Sequence, residues 1–67
     1  MAYSYNKLWK LLIDKNMKKT DLKNVAGMGP STLARLSKNE EVSLKVLSRI
    51  CKELDCDFSD IIEYVKD

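Results

Sequence analysis

The stretch from Lys18 to Ser37, KKTDLKNVAGMGPSTLARLS, holds a corner that few folds accommodate. Leu22, Val25 and Ala26 recur at i, i+3 and i+4, the apolar stripe of a helix laid on a core. Gly27 follows at once, where a chain leaving a helix in the left-handed region avoids the penalty that a Cβ incurs. Met28 is a single apolar plug, and Gly29-Pro30 then restarts helix. Glycine is a tolerated N-cap, and proline at the first helical position loses no useful hydrogen bond. Leu33 and Leu36 face inward at i, i+3, which leaves Ser31, Thr32 and Arg35 pointing outward. Two helices of roughly seven or eight residues joined in this way have the proportions of a helix-turn-helix.

The 67 residues are expected to form one domain, 1–67, near the lower limit for a chain that folds around its own core. An apolar content of 45% without a Gly/Ser-rich tract argues for a globular chain rather than disorder. No apolar run approaches the ~20 residues of a membrane span. The N-terminal MAYSYNKLWKLLIDK lacks the charged-then-apolar design of a signal peptide, because Lys7, Lys10 and Lys15 interrupt its apolar face. A cytoplasmic protein is the expectation. Cys51 and Cys56 suit that compartment, since a secreted domain of this size usually carries more cysteines as disulfides. With no histidine in the chain and a five-residue offset, they make no four-ligand zinc set, and CKELDC lacks the CxxC spacing of a redox pair. No cofactor and no metal are expected, and buried thiols are the plainer reading.

Net charge is only +2, but its distribution is uneven. Residues 1–38 carry eight basic and two acidic side chains, a net +6, whereas residues 39–67 carry four basic and eight acidic ones, a net −4. The basic half contains the two-helix unit. A one-sided basic field is what a polyanion-binding face requires; a solvated, lysine-rich helical surface is the alternative.

Helix one is expected from Tyr5 or Asn6 to Lys15, with Tyr5, Leu8, Leu11 and Leu12 inward and Trp9 and Ile13 widening the apolar arc. Asn16-Met17 breaks the pattern, and Met17 is a plug beneath the turn. After the polar connection Lys38-Asn39-Glu40-Glu41, Ser43 caps a helix whose Leu44, Val46, Leu47, Ile50, Cys51 and Leu54 make a dense stripe ending near Asp55. Asp57, with Asp60 three residues on, is expected to cap a last helix. Phe58, Ile61, Ile62 and Val65 would be its inward stripe, with Tyr64 near the surface and Ile62 at the margin between the two. No strand-like alternation is evident, so the expected architecture is all-α, five short helices.

The order of helices and the L…AGMG…TL…L spacing resemble the Cro/CI-type (phage-repressor-like, XRE-type) helix-turn-helix domains of bacterial transcription regulators. The resemblance covers about Tyr5 to Val65 and extends to compact regulators with a NMKKTDL-like segment, STLARL and a closing DIIEYV. It implies a lambda-repressor-like five-helix fold with the motif on helices two and three. Two positions depart from the family. Lys23 stands where the family usually has alanine, so its stem has to lie along the helix crossing while the ammonium reaches water. Leu12 and Ser37 stand where many members pair an arginine with a glutamate; losing both partners together strands no charge.

In domains of this type the second motif helix lies in the major groove with its N-terminal residues on base edges. That helix is Pro30 to Ser37 here. Ser31 and Thr32 carry short hydroxyls that read bases weakly and hold phosphates well. Arg35, the single arginine of the motif, is the first choice for a two-pronged bond to guanine. Lys19 opens the first motif helix where the family often touches a phosphate or a base, and is placed with the base contacts; a solvated lysine is its alternative. Lys18, Lys38 and Asn39 are assigned to phosphates, and Thr20 is a further candidate there. Lys15 and Lys23 are weaker ones. Trp9, Met17 and Met28 read as packing residues, with Trp9 away from the motif.

The function these residues imply is a sequence-specific DNA-binding transcriptional regulator, expected to be a repressor. A homodimer fits a two-fold operator whose half-sites lie one helical turn apart. Ile62, Tyr64 and Val65 on the last helix are the candidate dimer surface. The alternative is an interaction module of the same fold, such as an antitoxin, anti-repressor or adaptor. An enzyme finds no support: the chain has no histidine, no GxSxG and no phosphate-binding loop.

Overall fold

Each of the four α-helices stops where the sequence supplies a residue suited to left-handed backbone. The structure, a computed structural model, describes residues 3–66. Its helices are α1 (Asn6–Asp14), α2 (Lys19–Ala26), α3 (Pro30–Ser37) and α4 (Leu44–Leu54). Asn16, Gly27, Asn39 and Asp55 follow them with φ between 52° and 65°. After each one, the next amide donates to a carbonyl five residues back: Met17 to Leu12, Met28 to Lys23, Glu40 to Arg35 and Cys56 to Cys51 (2.8–3.1 Å). This closure satisfies carbonyls that a helix end otherwise leaves without partners. Asparagine, aspartate and glycine are the residue types that visit this region at least cost.

The starts are as specific. Gly29 caps α3 in an extended conformation and Pro30 takes its first helical position. The Ser43 hydroxyl accepts the Val46 amide at 3.3 Å to open α4. The Asp21 carboxylate accepts the Lys18 amide at 3.0 Å at the mouth of α2.

The core gathers Leu8 and Leu12 of α1, Leu22 and Ala26 of α2, Leu36 of α3, Leu47, Ile50 and Leu54 of α4, and also Tyr5, Met28 and Ile61. Helix α2 packs on both α3 and α4. Some stripe positions fall outside it. Ile13 (72% exposed), Leu44 (70%) and Val25 (46%) lie on faces that periodicity marks as apolar, but short helices bury little more than one residue per turn. Lys23 is half-buried.

The C-terminal segment corrects the sequence-based expectation. Among the described residues there is no fifth α-helix. Phe58–Asp60 form one 3-10 turn, and Glu63–Tyr64 form a strand, β2, paired antiparallel with β1 (Tyr3–Ser4). The facing pairs are Tyr3 with Tyr64 and Ser4 with Glu63. The caps do form: Asp60 accepts the Asp57 amide at 2.9 Å and Asp57 accepts its neighbour Phe58 at 2.8 Å. They start only a single turn. Ile61, Ile62, Tyr64 and Val65 are the β-branched and aromatic types that suit extended backbone, and Tyr3–Ser4 supplies the partner edge. Ile61 therefore enters the core and Ile62 packs against it, while Phe58 and Val65 lie exposed rather than on an inward helical stripe. The candidate dimer residues Ile62, Tyr64 and Val65 accordingly sit on and beside a short strand, not on a helix. Among the described residues, no helix is long and apolar enough to cross a membrane.

Candidate nucleic-acid interface

Helix α3 is held from below and leaves its outer face open. Leu36 is fully buried and Leu33 packs at the core edge, which fixes the rotation of the helix. That rotation exposes Ser31 and Arg35 and leaves Thr32 half-buried. The three side chains line one cleft of about 290 Å³ with Val42, Ser43 and Val46. Arg35 also borders a second hollow shared with Glu41, Val42 and Ser43. The expected base-contacting residues on α3 are thus brought together, Ser31 and Thr32 from its first turn and Arg35 from its last.

Lys19 belongs to a different corner. It is the first residue of α2, and its Nζ donates to the Ser37 hydroxyl, 3.3 Å away, at the far end of α3. The same ammonium lies 4.4 Å from the centre of the Trp9 ring. Trp9 is therefore not remote from the motif, as its place on α1 suggests from the sequence; it forms the floor under the start of α2. Ser37, at the end of α3, thus receives a lysine from the neighbouring motif helix.

The expected phosphate-contacting residues divide. Lys18 caps α2, Thr20 lies in its first turn and Lys38 caps the C-terminus of α3, all exposed. Asn39 is half-buried and turned inward, with its Oδ1 accepting the Tyr5 amide at 3.1 Å. The Tyr5 hydroxyl returns a bond to the Glu40 carbonyl at 2.8 Å, so one buried tyrosine ties the α3–α4 connection to the N-terminus. Burial pushes the Tyr5 phenol above its ordinary pKa, with the nearby Tyr3 and Glu41 adding to it. These two bonds fix the loop beside Arg35.

Val42, Ser43 and Val46 are cleft walls that the sequence does not place at the site; from it, Ser43 reads as a helix cap and Val46 as part of the α4 stripe. The signal is partly present: the Ser43 cap places the start of α4 just after the recognition segment. What it does not reveal is that α4 begins alongside Arg35.

The thiols lie elsewhere, at the end of α4. Cys51 and Cys56 are free and half-buried. Burial raises both pKa values, and Cys56, with the neighbouring Cys51 thiol adding to burial, is pushed up to about 11.

Comparison with known proteins adds to this geometry. No curated protein sequence matches the chain significantly. Among solved structures, the crystal structure of the transcriptional regulator VanUg (form II) superposes with a TM-score of 0.96 at 57% sequence identity, covering 98% of this chain and 88% of that one. A family profile, the Cro/C1-type HTH DNA-binding domain, matches residues 7–67. That match takes in α2, the Gly27–Gly29 turn and α3, and the chain belongs to the Cro/C1-type helix-turn-helix DNA-binding family.

Proposed function

We propose that the protein is a sequence-specific transcriptional regulator, acting as a repressor, that lays α3 in the major groove of DNA. The observation that carries this reading is the display of Ser31, Thr32 and Arg35 around one cleft along the outer face of α3. An α-helix with its side chains is about 10–12 Å across, which the major groove, about 12 Å wide, admits. Arg35 is the base reader: its planar fork matches guanine O6 and N7, worth about 1–3 kcal/mol against a wrong base. Ser31 and Thr32 support it with single hydrogen bonds. Lys18, Lys38 and Thr20 meet phosphates, and the amide nitrogen of Asn39 is the group it has left to offer there.

One α3 covers only a few base pairs, so a homodimer on a two-fold site completes the reading. Tyr64, 72% exposed on β2, with Ile62 and Val65 beside it, is the surface we assign to that contact.

Binding-site selection from a random duplex library tests the proposal. The parent chain is expected to select one sequence, and Arg35→Ala to lose preference at a G·C position, relaxing discrimination there by about 5- to 150-fold. Selection of the same sequence with undiminished strength by Arg35→Ala would remove Arg35 as reader. No selection by the parent chain would favour a protein-interaction module instead.

A further inference from the structure

Trp9, Lys19 and Ser37 come from α1, α2 and α3, yet their functional atoms meet at one point. The Lys19 ammonium is 3.3 Å from the Ser37 hydroxyl and 4.4 Å from the centre of the Trp9 ring. A free lysine has four rotatable bonds and loses most of that freedom when it grips a phosphate. Here the ring face and the hydroxyl have already restricted it. An ammonium has three donors. Ser37 takes one and the ring satisfies the charge from one side, which leaves donor capacity directed away from both, toward solvent.

The location decides what that capacity meets. The base-reading candidates Ser31, Thr32 and Arg35 line one cleft on the side of α3 that faces the start of α4, whereas Lys19, Trp9 and Ser37 line neither that cleft nor the hollow beside Arg35. The start of α2 also presents its first backbone amides, which favour an anion. We infer that Trp9 and Ser37 are positioning residues that hold the Lys19 ammonium as a preset phosphate clamp, and that Lys19 contacts the DNA backbone rather than a base. The inference rests on the DNA-binding reading above and assigns a role within it. It also gives the single tryptophan a use, because Trp9 then reports on the clamp directly.

The test is a pair of double-mutant cycles on a duplex obtained by selection with the parent chain, with affinity measured across a range of salt concentrations. Lys19→Met is expected to lower affinity for all sequences alike and to reduce the slope of log K against log salt by about 0.9. Trp9→Leu is expected to weaken binding about two- to fivefold in the parent and to have no effect in the Lys19→Met background. Ser37→Ala, an exposed change that leaves the core intact, is expected to follow the same pattern and covers the case in which Trp9→Leu fails to fold. In the free protein, Lys19→Met is expected to shift Trp9 fluorescence. Equal losses from Ser37→Ala or Trp9→Leu in both backgrounds would overturn the positioning role while leaving DNA binding standing. A change of sequence preference with Lys19→Met would instead make Lys19 a base reader and overturn the clamp. Failure of the parent chain to bind any duplex would overturn both this inference and the reading beneath it.

Discussion

Gly27 and Gly29 stand two positions apart and do different work. Gly27 has φ of 65° and Gly29 has φ of −81°, and neither faces an atom within 4 Å of where a Cβ would stand. The cost of a side chain at Gly27 is therefore backbone strain alone, so Gly27→Ala is expected to cost about 1–2 kcal/mol. Gly29→Ser places a better N-cap in permitted backbone and is expected to be neutral or to stabilise by a few tenths of a kcal/mol. Thermal melting of the two variants checks the contrast. Gly27 is legible in the sequence because a glycine directly after an apolar stripe marks a helix ending in left-handed backbone. The inward turn of Asn39 is not, because its partner Tyr5 lies 34 residues away. Cys56 adds a pH prediction. Its folded pKa of about 11 lies above the ordinary thiol value of 9.0, so the unfolded chain releases the proton first as pH rises. The stability this contributes is fully present below pH 9 and is expected to be lost between about pH 9 and 11. Melting curves of the parent and Cys56→Ala are expected to converge as pH rises through that window.

At the scale of elements, the four helices follow from local signals and the ending does not. Stripe spacing, Ser43, Gly29-Pro30 and the left-handed residues after each helix all act within a few positions. The segment Phe58–Val65 carries apolar residues at positions that suit a helix, and a strand of two residues is too short to show alternation. What decides between them is β1, more than fifty residues earlier in the chain. Ile61 is the residue by which that ending is fastened to the core, with no exposed surface. Ile61→Ala is expected to cost about 2–5 kcal/mol, a large share of the ~5–15 kcal/mol available to a small domain. Urea unfolding measures it. A loss under about 1 kcal/mol would mean that the C-terminal segment is not anchored through this side chain.

For the molecule as a whole, the sequence conveys the motif and its charge more fully than the shape of the interface. The basic half supplies Lys18, Lys19, Arg35 and Lys38, and the fold sets them apart around α3: Arg35 lines the cleft with Ser31 and Thr32, Lys19 is bonded to Ser37, Lys38 caps the end of α3, and Lys18 caps the start of α2. Periodicity alone assigns outward faces, but not which outward residues share a cleft or which lysine is tethered. Those depend on the crossing of α2 with α3 and on where α4 begins. The central claim is that the outer face of α3, carrying Ser31, Thr32 and Arg35, is the surface that enters DNA. Amide chemical-shift mapping by NMR, on addition of a duplex selected by the parent chain, tests it most directly. The largest shifts are expected at Ser31, Thr32 and Arg35, with smaller ones at Lys19 and Lys38 and little change at Cys56 and Ser59. Shifts centred on Cys56 and Ser59, with α3 unmoved, would contradict it.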